Sequence, residues 1–285
     1  MTSSFLLSLV TFGYLLSALF YLTALVMKKS GIGKVASWLT WAVLLINTGG
    51  IVLRWVESYQ LGIGHAPLSN LYESLIFFAW TIALIYLLLE IKTGSRTIGV
   101  FVTPLAFLAM AYASFSPNMA TRIQPLLPAL KSNWLIAHVM TCFLGYAAFA
   151  VSCSLSIMYL IKKTREKTPP ANRGLLALFP DLPVLDDLIY QTILIGFLLL
   201  TVGIATGAIW AHSAWGSYWS WDPKETWSLI TWLLYAALLH ARMMKGWYGK
   251  RIAWLSILGF ACVLFTYFGV NFLLSGLHSY GTPQS

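Results

Sequence analysis

The chain has 285 residues, of which 59% are apolar, 15% aromatic and only 9% charged, and it carries a formal net charge of +9. Soluble domains carry about 25% charged residues, so this composition excludes a soluble globular protein and indicates a polytopic membrane protein. In such a protein an excess of positive charge usually marks the cytoplasmic loops, and we expect no nucleic-acid partner.

Hydropathy predicts eight membrane helices joined by short loops. They are expected at residues 5–27, 35–53, 71–91, 97–115, 133–161, 188–210, 224–241 and 251–274. All except the seventh are close to the ~20 residues that a helix needs to cross a bilayer. No internal repeat or second domain is evident. We therefore predict an all-α polytopic membrane protein with about eight transmembrane helices, forming one membrane domain over residues 1–285 in contact with lipid.

The distribution of basic residues predicts the orientation of these helices. Fourteen of the eighteen lysines and arginines lie in one alternating set of loops, and the other set holds only Arg54, Arg122, Lys131 and Lys224. By the positive-inside rule the first set is cytoplasmic, so both chain termini are expected on the extracytoplasmic side. The longest cytoplasmic loop, residues 162–187, becomes amphipathic after a basic start, which predicts a helix lying in the membrane interface.

The loop before the third helix contains the sequence GHAPLSNLYES. Asn70 and Glu73 have the spacing of a capping box, so we interpret Glu73 as a helix cap rather than a proton carrier. His65, in the same loop, is predicted to have a solvated or structural role.

Residues 210–224 are predicted to form a tryptophan-rich extracytoplasmic loop. Trp215, Trp219 and Trp221 fall within seven residues there. The sequence DPKE at 222–225 combines an N-cap residue, a first-turn proline and a capping-box acid, which predicts the start of the seventh helix. The tryptophans of an ordinary aromatic belt are spread over many helix ends, whereas these are concentrated in one loop.

Three of the five histidines are candidate ligands. His138 lies near the outer end of the fifth predicted helix, and His278 follows the outer end of the eighth, so both are expected on the face that carries the tryptophan loop. His240 lies about 24 Å deeper than Lys224 at 1.5 Å per residue, and it needs a separate site. His212, like His65, is assigned a solvated or structural role.

Two imidazoles beside several indoles are typical of a haem site. Haem iron takes two axial histidines, and its apolar macrocycle packs against aromatic rings. The cations Arg122, Lys131 and Lys224 could pair with its propionates. The alternative is that each histidine is a hydrogen-bonded interface residue. The residues alone leave this open for His138 and His278 and favour it for His240.

The stretch WGSYWSWDPKETWSLITWLLYAALLHAR resembles the tryptophan-rich "WWD" signature of haem-handling proteins in cytochrome c maturation. With the GHAPLSNLYES segment and the spacing of the histidines, the chain as a whole is similar to the CcsA (ResC) family. Members of that family are multi-spanning subunits of the System II cytochrome c synthase.

The resemblance implies a set of haem-binding residues. His138 and His278 would be the axial ligands of an extracytoplasmic haem b, and Trp215, Trp219, Trp221 and Asp222 would belong to the platform that presents it. One departure from the family pattern is His212, which stands where a small polar residue is expected and could act as a stray ligand. Within the membrane, His240 would be one iron ligand of a deeper haem, whose other ligand comes from the partner subunit CcsB.

The resemblance also implies an activity. The chain would receive haem and present it for thioether attachment to the CxxCH motif of apocytochrome c, as part of a holocytochrome c synthase (haem lyase) with CcsB. A thioredoxin-like reductant would keep the substrate thiols reduced. No catalytic residue is expected, since the thiols belong to the substrate. The expected location is the bacterial inner membrane, or the thylakoid membrane of a plastid or cyanobacterium. The alternatives are a membrane haem exporter and a b-type electron-transfer cytochrome.

Overall fold

The computed structural model describes residues 2–117, 119–127, 130–166 and 174–274. Within these ranges the chain forms helices and connecting segments, with no strand. The main helices are α1 Ser3–Met27, α2 Ser30–Gln60, α3 Leu71–Thr93, α4 Gly99–Phe115, α5 Asn133–Thr164, α6 Leu182–Trp215, α7 Pro223–Lys245 and α8 Lys250–Leu264. A π-helical turn, Phe265–Gly269, and the short α9, Val270–Leu273, continue α8. The predicted all-α polytopic fold is confirmed.

Seven helices of the described part are long and apolar enough to cross a membrane, counting α8 with its continuation as one. The chain is therefore a multi-pass membrane protein. The exception is α7, which has 23 residues but carries charged side chains in both its first and last turns. It is also longer than predicted, because it continues past Arg242 to Lys245 and stops where Gly246 adopts a left-handed conformation with φ 60°.

Helix α6 extends beyond its predicted bounds at both ends. It ends at Trp215, where Gly216 has φ 80°, so residues 210–215 are helical and the tryptophan loop is limited to residues 216–222. At its other end it begins at Leu182, inside the predicted cytoplasmic loop. The amphipathic stretch is thus divided between a 3-10 turn, Gly174–Leu178, and the first turns of α6, instead of forming its own interfacial helix.

The segments that were predicted to be extracytoplasmic come together at one end of the bundle, which we call the outer end. The backbone N–H of Ser3 donates to Glu57 near the end of α2 over 2.8 Å. The ring Nε2 of His65 lies 3.1 Å from the carbonyl oxygen of Gln124, joining two outer loops. At the opposite end, Arg242 pairs with Asp186 at 2.8 Å.

Candidate functional site

A large pocket lies at the outer end of the bundle. Its empty volume is about 1300 Å³, including the open space at its mouth, and its walls come from the start of α3, from α5 and α6, from the tryptophan loop, from the start of α7 and from the π-helical turn and α9 that continue α8. A concave pocket with mostly apolar walls and a few polar side chains is the form that ligand-binding sites commonly take.

His138 lies in the wall of this pocket, held from behind by α6. Its Nδ1 is 2.7 Å from the carbonyl oxygen of Gly203. A carbonyl only accepts, so Nδ1 carries the proton and donates, which leaves Nε2 of the neutral ring as a free electron-pair donor. None of the described residues hydrogen-bonds to Nε2. Histidine ligands of metals are commonly oriented in this way, by a backbone carbonyl that binds the other ring nitrogen.

Two glycines of α6 make room for this imidazole. A Cβ on Gly207 would lie 2.6 Å from Nδ1 of His138, and a Cβ on Gly203 would lie 2.5 Å from the sulfur of Cys142, one turn along α5. The absence of side chains lets α5 and α6 approach until the ring reaches the Gly203 carbonyl. On its other side the ring stacks on Trp210, with centroids 6.1 Å apart and planes 17° apart.

Of the three predicted platform tryptophans, the structure brings only Trp219 to the pocket wall. Trp221 is 68% exposed and has a left-handed backbone with φ 58°, and its ring meets that of Trp219 edge to face at 5.7 Å and 87°. Trp215, in the last turn of α6, packs against Trp210 at 4.8 Å and lies behind it. The three indoles therefore form no common flat surface.

Several aromatic residues that were not candidates from the sequence also line the pocket, among them Trp210 and Tyr218. Trp210 is 2% exposed and joins the outer turns of α5 and α6. The helical spacing of Gly203, Gly207 and Trp210 on α6 was the available signal, because two glycines one turn apart indicate a close helix contact. Tyr218 stacks on His212 at 4.2 Å and 17°, so His212 packs on the rim.

The start of α7 is fixed by the predicted capping box, which is confirmed. The Asp222 side chain accepts from the backbone N–H of Lys224 at 3.1 Å. In return, one carboxylate oxygen of Glu225 accepts from the N–H groups of Asp222 at 3.2 Å and Ser220 at 2.8 Å. These bonds tie the end of the tryptophan loop to the helix and so determine where Trp219 lies.

The wall next to α3 depends on a buried ion pair that the sequence did not reveal. Nε of Arg54 lies 2.8 Å from Glu73, and both side chains are almost fully buried. The other Glu73 oxygen accepts from the backbone N–H of Ser69, at 2.9 Å, in the pocket wall. The predicted N-cap Asn70 is confirmed, since its side chain accepts from the N–H of Glu73. The Glu73 carboxylate itself pairs with Arg54 and accepts the hydrogen bond from Ser69.

The other predicted iron ligands are His240 and His278. His240 is exposed near the inner end of α7, and no described residue makes a hydrogen bond, ion pair or ring contact with it. His278 lies outside the described residues. His65 is nearly buried, with its ring nitrogens 2.9 Å and 3.1 Å from the carbonyl oxygens of Ala66 and Gln124, which is a structural role.

Comparison with known proteins places these features in a family. The "Cytochrome C assembly protein" family matches residues 68–278. The chain is 46% identical over 243 residues to the cytochrome c biogenesis protein CcsA of Guillardia theta, covering 80% of this chain and 79% of that protein. It is 39% identical over 314 residues to CcsA of Gloeobacter violaceus, covering 93% of this chain and 91% of the relative.

Among solved structures, the cytochrome c haem lyase CcmF superposes with a TM-score of 0.71 at 20% identity. The match covers 94% of this chain and 47% of that chain, so the chain spans about half the length of CcmF. At this identity the likeness is one of fold.

Proposed function

Since the chain belongs to the cytochrome c assembly protein family and groups with its CcsA members, we propose that it handles haem during cytochrome c biogenesis. In this proposal the outer pocket holds haem b and presents it to apocytochrome c. The observation that carries the proposal is the orientation of His138, whose Nδ1–H is bound by Gly203 while its Nε2 has no partner in the described part of the chain.

Two features of the pocket fit a porphyrin. An imidazole nitrogen with a free electron pair is the donor that haem iron takes. Aromatic side chains, among them Tyr146, Phe143 and Tyr267, cover the pocket floor with apolar surface.

The second axial ligand in this proposal is His278. Asn271, in α9, lines the pocket, and the chain leaves this helix after Leu273, five residues before His278. Fully extended, five residues reach about 17–18 Å, which allows His278 to return toward the pocket. Both imidazoles would then come from one chain, within the region 68–278 that matches the family.

The chemistry proposed for this site is addition of substrate thiols to haem. In each of two additions the sulfur of a CxxCH cysteine bonds to one carbon of a haem vinyl group, and the thiol proton goes to the other vinyl carbon. Each step is therefore a net addition without a leaving group. No side chain of this protein acts as nucleophile or general base. The protein contributes positioning, because a fixed imidazole and fixed walls hold the vinyl groups where the thiols arrive.

His240 belongs to a second, deeper site in this proposal. An exposed imidazole with no described partner is suited to a ligand shared with another subunit, and CcsB is the proposed partner. Electron transfer by a b-type cytochrome is less well supported, because such proteins pair histidines at matched depth. No other described histidine lies near the depth of His240. The described residues give no additional support to a haem exporter that does not attach haem to a cytochrome.

The test is haem attachment in cells that lack other cytochrome c maturation proteins. The chain is expressed with CcsB and a reporter carrying CxxCH, and covalent haem on the reporter is measured after denaturing electrophoresis. We expect attachment with the unaltered chain and with the control His212→Ala, and loss with His138→Ala. Attachment that persists at the unaltered level in His138→Ala would refute the proposal.

A further inference from the structure

Two hydrogen-bond donors of the outer pocket have no anionic acceptor in the described structure. Lys224, in the first turn of α7, donates from Nζ to the neutral side-chain oxygen of Asn271 at 2.9 Å and forms no ion pair with any described carboxylate. The indole Nε1–H of Trp219 is buried and has no hydrogen-bond partner among the described residues. Both side chains line the pocket.

Donors held in an apolar pocket wall are costly unless a partner arrives. A half-buried ammonium group is stabilised by a counter-charge, and a buried indole N–H without a partner loses the hydrogen bond it made with water. A carboxylate satisfies both at once, since it has two oxygens that accept. We propose that Lys224 and Trp219 form the subsite that binds a carboxylate of the pocket ligand. This rests on the proposed function, so the carboxylate is a propionate of haem.

Asn271 keeps the ammonium group in place. Its side-chain nitrogen donates to the carbonyl oxygen of Tyr267 at 2.7 Å, within the π-helical turn, which leaves its oxygen turned to Lys224. The carboxylates of the two nearest acids in the sequence, Asp222 and Glu225, make the capping box, and Asp222 also attracts the ammonium through its charge. The group that accepts a hydrogen bond directly from Nζ is the neutral side chain of Asn271 at the pocket wall.

The structure selects Lys224 from three cations that the sequence offers on this face. Arg122 and Lys131 are both exposed and neither lines the pocket. A cation in open solvent binds a carboxylate weakly because water and salt screen the pair, whereas one in the wall of an apolar pocket binds it strongly. Only Lys224 is placed to discriminate between ligands with and without the carboxylate.

The experiment compares haem with its dimethyl ester, in which both carboxylates are blocked. The full chain is purified in detergent, and each porphyrin is titrated in with binding followed by absorbance. We expect the free acid to bind roughly tenfold more tightly than the ester, the effect of one charge-assisted hydrogen bond pair. Lys224→Met should reduce the ratio to about one, chiefly by weakening the free acid.

Two further variants separate charge from folding. Lys224→Arg keeps the cation and should keep the preference. Lys245→Met, at the exposed far end of the same helix, is the matched control and should behave as the unaltered chain. Equal binding of the two porphyrins by the unaltered chain would overturn the assignment of the carboxylate subsite without touching the haem function. A preference for the free acid that survives in Lys224→Met would do the same. Failure to bind either porphyrin would overturn the haem function, and the assignment with it.

Discussion

The imidazole of His138 donates its Nδ1–H to the carbonyl oxygen of Gly203 over 2.7 Å, across the interface of α5 and α6. This bond fixes the tautomer and the direction of the ring together, so that Nε2 is kept as the free electron-pair donor at the pocket wall. The contact is possible because α6 has glycine at positions 203 and 207.

Gly207→Ala is expected to displace the His138 ring. The new Cβ would lie 2.6 Å from Nδ1 and 2.8 Å from Cε1, closer than any ordinary contact, so the imidazole has to move. Loss of ligand orientation typically costs about 10–100-fold in metal affinity, and we expect a decrease of this size in haem affinity by absorbance titration.

The matched control for this prediction is Gly49→Ala in α2. A Cβ at Gly49 meets no atom within 4 Å, so that variant should bind haem normally and gain about 0.5–1 kcal/mol of helix stability. Equal haem affinity in the two alanine variants would show that the ring does not depend on the glycine.

Asp222 is expected to act as a helix cap rather than as a charge. Asp222→Ala removes the acceptor of the Lys224 N–H, which should cost about 1 kcal/mol and loosen the tryptophan loop. Asp222→Asn keeps a good N-cap without the charge, and it should retain both stability and haem binding. Thermal unfolding and haem titration of the two variants measure this, and an asparagine variant as impaired as the alanine variant would contradict it.

The Arg54–Glu73 ion pair is expected to stabilise the pocket wall strongly. Arg54→Met leaves a buried carboxylate without its partner, and such a change costs about 3–5 kcal/mol. The double variant Arg54→Met/Glu73→Gln should be less destabilised, because no unpaired charge remains. Chemical unfolding in detergent measures all three free energies of unfolding.

An exposed ion pair provides the comparison for this measurement. Lys163 and Glu166 lie 2.6 Å apart near the end of α5 and are both partly exposed, so Lys163→Met should leave the free energy of unfolding close to that of the unaltered chain. If Arg54→Met cost no more than Lys163→Met, burial of the first pair would contribute nothing to stability.

The loss of His240 should matter only when the partner subunit is present. Its imidazole is exposed and has no described partner, so His240→Ala should leave haem binding by the isolated chain unchanged. With CcsB co-purified, the same variant should lose one haem per complex, measured by pyridine haemochrome analysis against protein concentration. Unchanged haem content in that complex would rule out a shared site.

Much of the fold followed from local sequence signals. Membrane helices are predictable because the bilayer demands long apolar runs, and the start of α7 was predictable because DPKE at 222–225 contains its own cap. The end of α6 was predicted at residue 210 because the closely spaced tryptophans were interpreted as a loop. The helix continues to Trp215 and stops at Gly216, and a glycine at that position is a simple helix-end signal. In contrast, residue pairs distant in sequence have no local signature.

The site shows this limit most clearly. Gly203 is 65 residues from His138, and Arg54 is 19 residues from Glu73 on another helix, so neither contact follows from hydropathy or spacing. What the sequence did indicate is which residues could take part, because His138 and Trp219 were both identified as candidates. Which of several tryptophans and cations reach the pocket is decided by packing.

The central claim is that His138 binds haem iron in the outer pocket, and an absorption spectrum tests it most directly. The purified full chain is titrated with haem beside His138→Ala, with and without added imidazole, and beside His212→Ala as the control. We predict a low-spin spectrum for the unaltered chain and the control, its loss in His138→Ala, and its recovery when imidazole fills the vacated space. A low-spin spectrum in His138→Ala without imidazole, identical to that of the unaltered chain, would contradict the claim.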